Sequence, residues 1–120
     1  MELTEKQELF LQQNSLAVLA TADLENQPRA IFVEINSVNK NELVITDNEM
    51  QLTKNNLLEN AKVFVLAYGK NYNYCLKIIG SAEYRMSGNY FHFVQNLKTN
   101  KKHHPKAAVV IKINNVIEFK

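Results

Sequence analysis

Apolar residues recur along this chain in six strand-like runs, and at helical spacing in three shorter segments between them. Alternation with period two sends side chains to opposite faces of a strand, whereas spacings of three and four gather them on one side of a helix. Thr4-Glu5-Lys6-Gln7 has the form of a capping box and predicts a helix to about residue 13, burying Leu9 and Phe10. Residues 15–22 read as a mostly buried strand, followed by a polar turn to Pro28 and a second strand over 29–37. In that strand Ile31, Val33 and Ile35 share one face, and Ala30, Phe32, Glu34 and Asn36 the other. A turn at 38–41 leads to a third strand at 42–46, then to a short helix with Leu57 and Leu58 as its buried positions.

The second half repeats the theme. Strands are predicted at 61–68 and 74–85, the latter long enough that Gly80 marks a bend or bulge. Ser87 is placed to cap a helix whose Tyr90, Phe93, Val94 and Leu97 recur at i, i+3, i+4, i+7 as a core-packing stripe, with His92 on the polar side. A basic loop over 98–106 precedes a closing strand at 107–120, bulged at Asn114-Asn115. Six strands at short spacing without βαβ alternation predict a mainly β protein: a six-stranded antiparallel barrel with two or three short helices. No repeat, low-complexity tract or linker interrupts residues 1–120, so a single domain is expected.

Composition narrows the function classes. With 46% apolar and 22% charged residues the chain is an ordinary globular one, and a net charge of +2 implies no polyanionic partner by itself. The single cysteine, Cys75, excludes an internal disulfide and offers no metal-ligand spacing. Its strand neighbours make it a packed or half-exposed thiol rather than a nucleophile. The amino terminus lacks the basic start and apolar run of a secretory signal, and no apolar stretch is long enough to span a bilayer. A cytoplasmic protein without a membrane partner is the expectation. Three glycines exclude a glycine-rich phosphate cradle, and no nucleophile elbow or Walker pattern is present.

The segment from Ile45 to Val63 carries the most chemistry. It reads as a strand end, a polar turn, a short helix and entry into another strand, with Thr46, Asn48, Gln51, Thr53 and Lys54 around the helix start. Free backbone N–H groups and the positive end of the helix dipole gather there and suit an anion such as phosphate. A purely structural alternative stands beside it, because Asp47 and Glu49 would complement the same dipole as first-turn acids.

Several pieces in order resemble the FMN-binding split-barrel superfamily, the group related to pyridoxamine 5'-phosphate oxidase. They are residues 16–21 with Gln27-Pro28-Arg29-Ala30, residues 45–50, and Thr53 through Val63. Ile79-Gly80-Ser81-Ala82-Glu83-Tyr84 and Lys106 through Lys112 complete the set. The resemblance implies a Greek-key split barrel that pairs into a homodimer with FMN at the subunit interface. Thr46, Asp47, Asn48, Met50, Gln51 and Thr53 would form the phosphate-side loop, and Arg29 a cationic contact. Ile31, Phe32 and Val33 would pass near the flavin ring, and His104 would approach the partner's flavin.

One departure from the family pattern bears on the phosphate. Relatives commonly read Met-Asn-Lys-Thr where this chain reads Met50-Gln51-Leu52-Thr53, so Leu52 stands in place of a lysine. Loss of that charge-assisted hydrogen bond costs about 1.5–3 kcal/mol, roughly ten- to a hundredfold in affinity. Lys54 lies about 200° around a helix from Leu52, or on the same side if the turn is extended there; Arg29 is a second candidate to compensate.

The basic loop admits three readings: a solvated charged surface, the flavin-capping segment implied by the resemblance, or a small nucleic-acid patch. No aromatic residues are interleaved with it, which counts against nucleic acid. Adjacent His103 and His104 lack partner ligands for a metal. The leading expectation is a small homodimeric FMN protein that transfers electrons or converts a small molecule, with an unidentified small-molecule or protein redox partner. A full pyridoxamine-phosphate oxidase is not expected, because its carboxy-terminal extension has no counterpart here. The alternative is a flavin-free split-barrel module for another ligand or for protein interaction.

Overall fold

The computed structural model describes residues 2–119, and the last predicted residue of the closing strand, Lys120, lies outside them. The elements run α1 (Glu5–Gln13), β1 (Leu16–Ala22), β2 (Pro28–Val38), β3 (Glu42–Asp47), α2 (Leu52–Glu59), β4 (Lys62–Tyr68), β5 (Cys75–Arg85), α3 (Asn89–Gln95) and β6 (Ala107–Phe119). All six strands pair antiparallel and close into a barrel of order β1-β2-β3-β6-β5-β4. Full closure leaves no unpaired sheet edge. The β3-to-β4 connection, through α2, crosses one end of the barrel in Greek-key fashion.

Alternation decides what fills the interior. Leu19, Ile45, Val65, Leu76, Ile78, Val109 and Ile111 point inward and are fully enclosed, joined by Leu11 of α1. A smaller cluster, Val44, Val94 and Ala108, seats α3 on the outside of β3 and β6. Two irregularities break the ladders. Opposite Ile79 and Gly80, β6 carries an extra residue at Asn114, since Ile79 pairs with Asn115 and Gly80 with Ile113. The expectations at Gly80 and at Asn114-Asn115 are therefore one feature. A Cβ at Gly80 would lie 2.5 Å from the Lys112 carbonyl oxygen and 2.8 Å from Ile111 Cγ2. The second irregularity leaves Asn36 unpaired between Ile35↔Ile45 and Ser37↔Val44.

Helix α1 starts as expected, with Thr4 and Gln7 exchanging both capping-box hydrogen bonds at 2.9 and 3.1 Å. Four local expectations are corrected. Leu9 is exposed and Leu11 takes the buried position, because the helix turns Gln7 and Leu11, four residues apart, toward the barrel. Phe10 is partly buried, edge-on to Tyr74. Leu58 is exposed while Leu57 is buried, since α2 lays only one narrow stripe on the core. Ser87 does not cap α3: the N-cap is Gly88 at φ 88°, with no side-chain cap. Phe93 consequently turns outward, and Phe91 joins Tyr90 and Leu97 around Val94. His92 is exposed, as its polar face predicts.

Candidate functional site

The turn after β3 is organised by Asp47, whose side chain is completely buried. Its carboxylate accepts the Met50 N–H at 2.8 Å and the hydroxyl of Tyr84, while its carbonyl accepts the Lys106 N–H at 2.8 Å. Burial, and then the adjoining Asp47 carboxylate, push the Tyr84 hydroxyl well above the ordinary tyrosine range. Lys54 sits over the Tyr84 ring, with Nζ 5.5 Å from its centroid. Asp47 thus links β3, the turn and β5 through its carboxylate, and the entry to β6 through its carbonyl.

Beyond that turn, α2 begins unguarded. Gln51, its N-cap, has φ 49° and makes no side-chain cap, and no acidic residue lies in the first turn. Asp47 and Glu49 precede the helix rather than lying in its first turn, and Asp47 serves the turn structurally through the Met50 N–H and the Tyr84 hydroxyl. In α1 the same positions hold a capping box and two acids. No side chain caps the start of α2 and no acid lies in its first turn, while the Thr53 N–H bonds to the Met50 carbonyl at 3.1 Å.

Beside the turn, a groove of about 350 Å³ opens between β2 and β3. Ile31, Phe32, Val33 and Glu34 line one wall, and Thr46, Asn48, Glu49 and Met50 the other. Such a volume lies in the range of small-molecule sites. A polar annex of about 160 Å³ shares Glu34, Thr46 and Asn48 with it and adds Asn36, Asn100 and His103. Four side chains there form one hydrogen-bonded chain. Asn48 Nδ2 donates to Asn100 Oδ1 at 3.3 Å, Asn100 Nδ2 to Thr46 Oγ1 at 2.8 Å, and Thr46 Oγ1 to Asn36 Oδ1 at 2.7 Å.

Six of the twelve residues singled out from the sequence therefore meet in one groove: Ile31, Phe32, Val33, Thr46, Asn48 and Met50. Asp47 lies behind it as the turn's internal support. Gln51 is exposed at the start of α2. Thr53 is turned inward, only 1% exposed, and its hydroxyl has no hydrogen-bond partner. Leu52 is 52% exposed and already helical, so Lys54 projects from another side of α2, toward Tyr84. Arg29 is exposed on β2, opposite Thr21 of β1 and outside the groove lining. His104, at φ 52°, lines a separate hollow with Gln95, Lys101 and Pro105.

Glu34, Asn36 and Asn100 were missed as site residues, and His103 was placed only in a generic basic loop. Asn100 is 4% exposed within a loop whose lysines are all exposed. Nothing local marks it, because its partner Thr46 lies 54 residues away. Among the described residues no cluster of His, Cys, Asp or Glu could hold a metal ion. No helix of the structure is long and apolar enough to cross a membrane.

The outer surface next to the groove is apolar. Phe32, 71% exposed, pairs with Val18, which pairs in turn with Leu66. These residues form a row across β2, β1 and β4; Lys77 stands next in the row on β5, with the exposed Ile117 of β6 beyond it and the exposed Ile79 beside Phe64. Contiguous exposed apolar patches of this kind mark interaction surfaces.

Comparison with known proteins identifies relatives across the whole chain. The profile of a family described as pyridoxamine 5'-phosphate oxidase matches residues 3–120. The uncharacterized protein MJ0282 of Methanocaldococcus jannaschii is 34% identical over 128 residues, covering 100% of this chain and 83% of that one. In structure the chain is similar to HupZ of Group A Streptococcus, with a TM-score of 0.84 at 20% identity over 97% of this chain and 93% of that one. It is also similar to an FMN-binding protein from Syntrophomonas wolfei, with a TM-score of 0.80 at 17% identity, 97% of this chain and 85% of that one.

Proposed function

The chain belongs to the pyridoxamine 5'-phosphate oxidase family, and on that basis we propose that it is a small homodimeric flavoprotein holding FMN in the groove between β2 and β3. The observation that carries this is a groove with Ile31, Phe32, Val33 and Met50 on its walls, and Glu34 and Glu49 at its polar side, that reaches Met50 just before the uncapped start of α2. The groove suits a planar ring against Ile31, Phe32 and Met50. The start of α2 suits a phosphate through backbone N–H groups and Gln51. Thr53 supports the fit differently: its hydroxyl is an orphaned donor one residue into the helix, available to an anion only if the first turn shifts. Arg29 and Lys54 are the cations that would replace the lysine absent at Leu52. The structural neighbour from Syntrophomonas wolfei, an FMN-binding protein, adds support by analogy of fold.

The apolar row Phe32, Val18 and Leu66 supports the pairing of two copies. A second subunit there would cover the open side of the groove and exclude water from it, and His104 is our candidate for reaching the partner's site. Bound flavin would supply the redox chemistry, for electron transfer or for oxidation or reduction of a small molecule, while the protein binds and orients.

The exposure of Leu52 and the engagement of Lys54 with Tyr84 favour a second reading, a flavin-free module for another ligand. Titration with FMN, followed by quenching of flavin fluorescence, separates the two. Saturable uptake at about 10 µM or below, one FMN per chain, is expected, whereas no uptake at tens of micromolar overturns the flavin assignment.

A further inference from the structure

The direction of the hydrogen-bonded chain in the polar annex is set at one end. The Val94 carbonyl can only accept, and it takes a hydrogen bond from Asn100 Nδ2 at 2.9 Å. The Asn100 amide is therefore fixed with Nδ2 toward Val94 and Thr46 and Oδ1 toward Asn48. Thr46, accepting from Asn100, gives its own proton to Asn36 Oδ1. Asn36 Nδ2 is then left over as a donor, with no protein partner among the described residues. Asn48, donating to Asn100, is left with a buried and unpartnered Oδ1. Glu34, two residues before Asn36 and lining the same annex, also has no side-chain partner.

The annex thus presents a donor at Asn36 and an acceptor at Glu34, with Thr99 and His103 also lining it and no lysine or arginine among its residues. We propose that it is a subsite for the edge of a planar neutral amide, a lactam, imide or carboxamide in which an N–H stands beside a C=O. The C=O takes the Asn36 donor and the N–H meets the Glu34 carboxylate. A carboxylate of the same shape is disfavoured, because it carries no donor and would face the Glu34 carboxylate with no lysine or arginine in the lining. The bulge at Asn36 serves this arrangement by turning that side chain toward Thr46 and the annex. The proposal rests on the groove being a ligand site. The amide edge has two sources, the pyrimidine edge of a flavin or the polar group of a substrate.

Nicotinamide and nicotinate, equal in shape, test the chemistry by NMR titration of the full chain with and without FMN. Wild type is expected to bind nicotinamide at least about tenfold more tightly than nicotinate unless flavin fills the annex. Glu34→Gln, at an exposed position, is expected to narrow that preference severalfold with the fold intact. Asn36→Asp removes the donor. If it weakens nicotinamide binding to FMN-loaded protein about tenfold while FMN affinity holds, the annex takes a substrate amide. If instead it weakens FMN but not 3-methyl-FMN, the annex takes the flavin edge. Equal binding of nicotinamide and nicotinate, together with FMN affinity unchanged in both variants, overturns the proposal. Failure of wild type to take up FMN would sink the flavoprotein assignment alone, since the nicotinamide preference is read on flavin-free protein as well.

Discussion

The hydroxyl of Tyr84 on β5 donates to the buried carboxylate of Asp47 at the end of β3, across the barrel mouth that α2 closes. Neither residue faces the groove, yet this contact sets the turn from which the groove's second wall continues. Tyr84→Phe leaves one Asp47 oxygen buried without its donor. The expected loss is about 1.5–3 kcal/mol of stability, read as a lower urea midpoint at unchanged m-value. An unchanged midpoint would show that water or another donor replaces the hydroxyl.

Thr53 makes a prediction of opposite sign. Its hydroxyl is buried and unpartnered, so Thr53→Val, nearly equal in shape, is expected to raise the stability of the ligand-free protein by about 1 kcal/mol. If the first turn shifts to give that hydroxyl to a phosphate, the same variant should weaken FMN while leaving riboflavin unchanged. Equal losses for both flavins would place the phosphate elsewhere.

Alkaline pH should expose a second tyrosine. Tyr74 donates to Glu118 at 3.0 Å, and burial first, then that carboxylate, push its pKa up from 10.0 to about 12. The folded protein holds this proton more tightly than the unfolded chain. The resulting stability is complete below pH 10 and is lost as pH rises from 10 toward 12. Tyr74→Phe should flatten the stability profile in that window, measured by thermal melts at stepped pH. A profile that still falls as steeply would assign the loss to other groups.

Assembly can be separated from folding on the outer face. Leu66→Glu places a charge in the apolar row beside Val18 without touching the barrel interior. Light scattering is expected to report monomers with an unchanged circular dichroism spectrum. Persisting dimers would move the interface off this face.

Strand positions were legible because inward residues such as Leu19, Val65 and Ile78 alternate with partly exposed ones. The groove's walls were legible for a related reason, since β2 and the turn after β3 carry the family's residues in order. Fine phasing was not. Leu9 and Leu11, or Leu57 and Leu58, are equal in hydrophobicity, and only the docking angle of each helix decides which is buried. The polar annex was invisible because its pairs span 52 and 54 residues, and no local pattern encodes an asparagine's partner at that distance.

The extra residue at Asn36 also works as a phase shifter for β2. Ahead of it the odd positions Ile31, Val33 and Ile35 face the barrel; beyond it Val38 packs on the core while Ser37 lines an outer hollow. One strand thereby runs in two parities, the first building the groove and the second closing the hairpin to β3. Deleting that single residue would leave Ser37 as the one outward position between the inward Ile35 and Val38, so the ladder would heal with both halves of β2 in phase, at the cost of the Asn36 side chain in the annex.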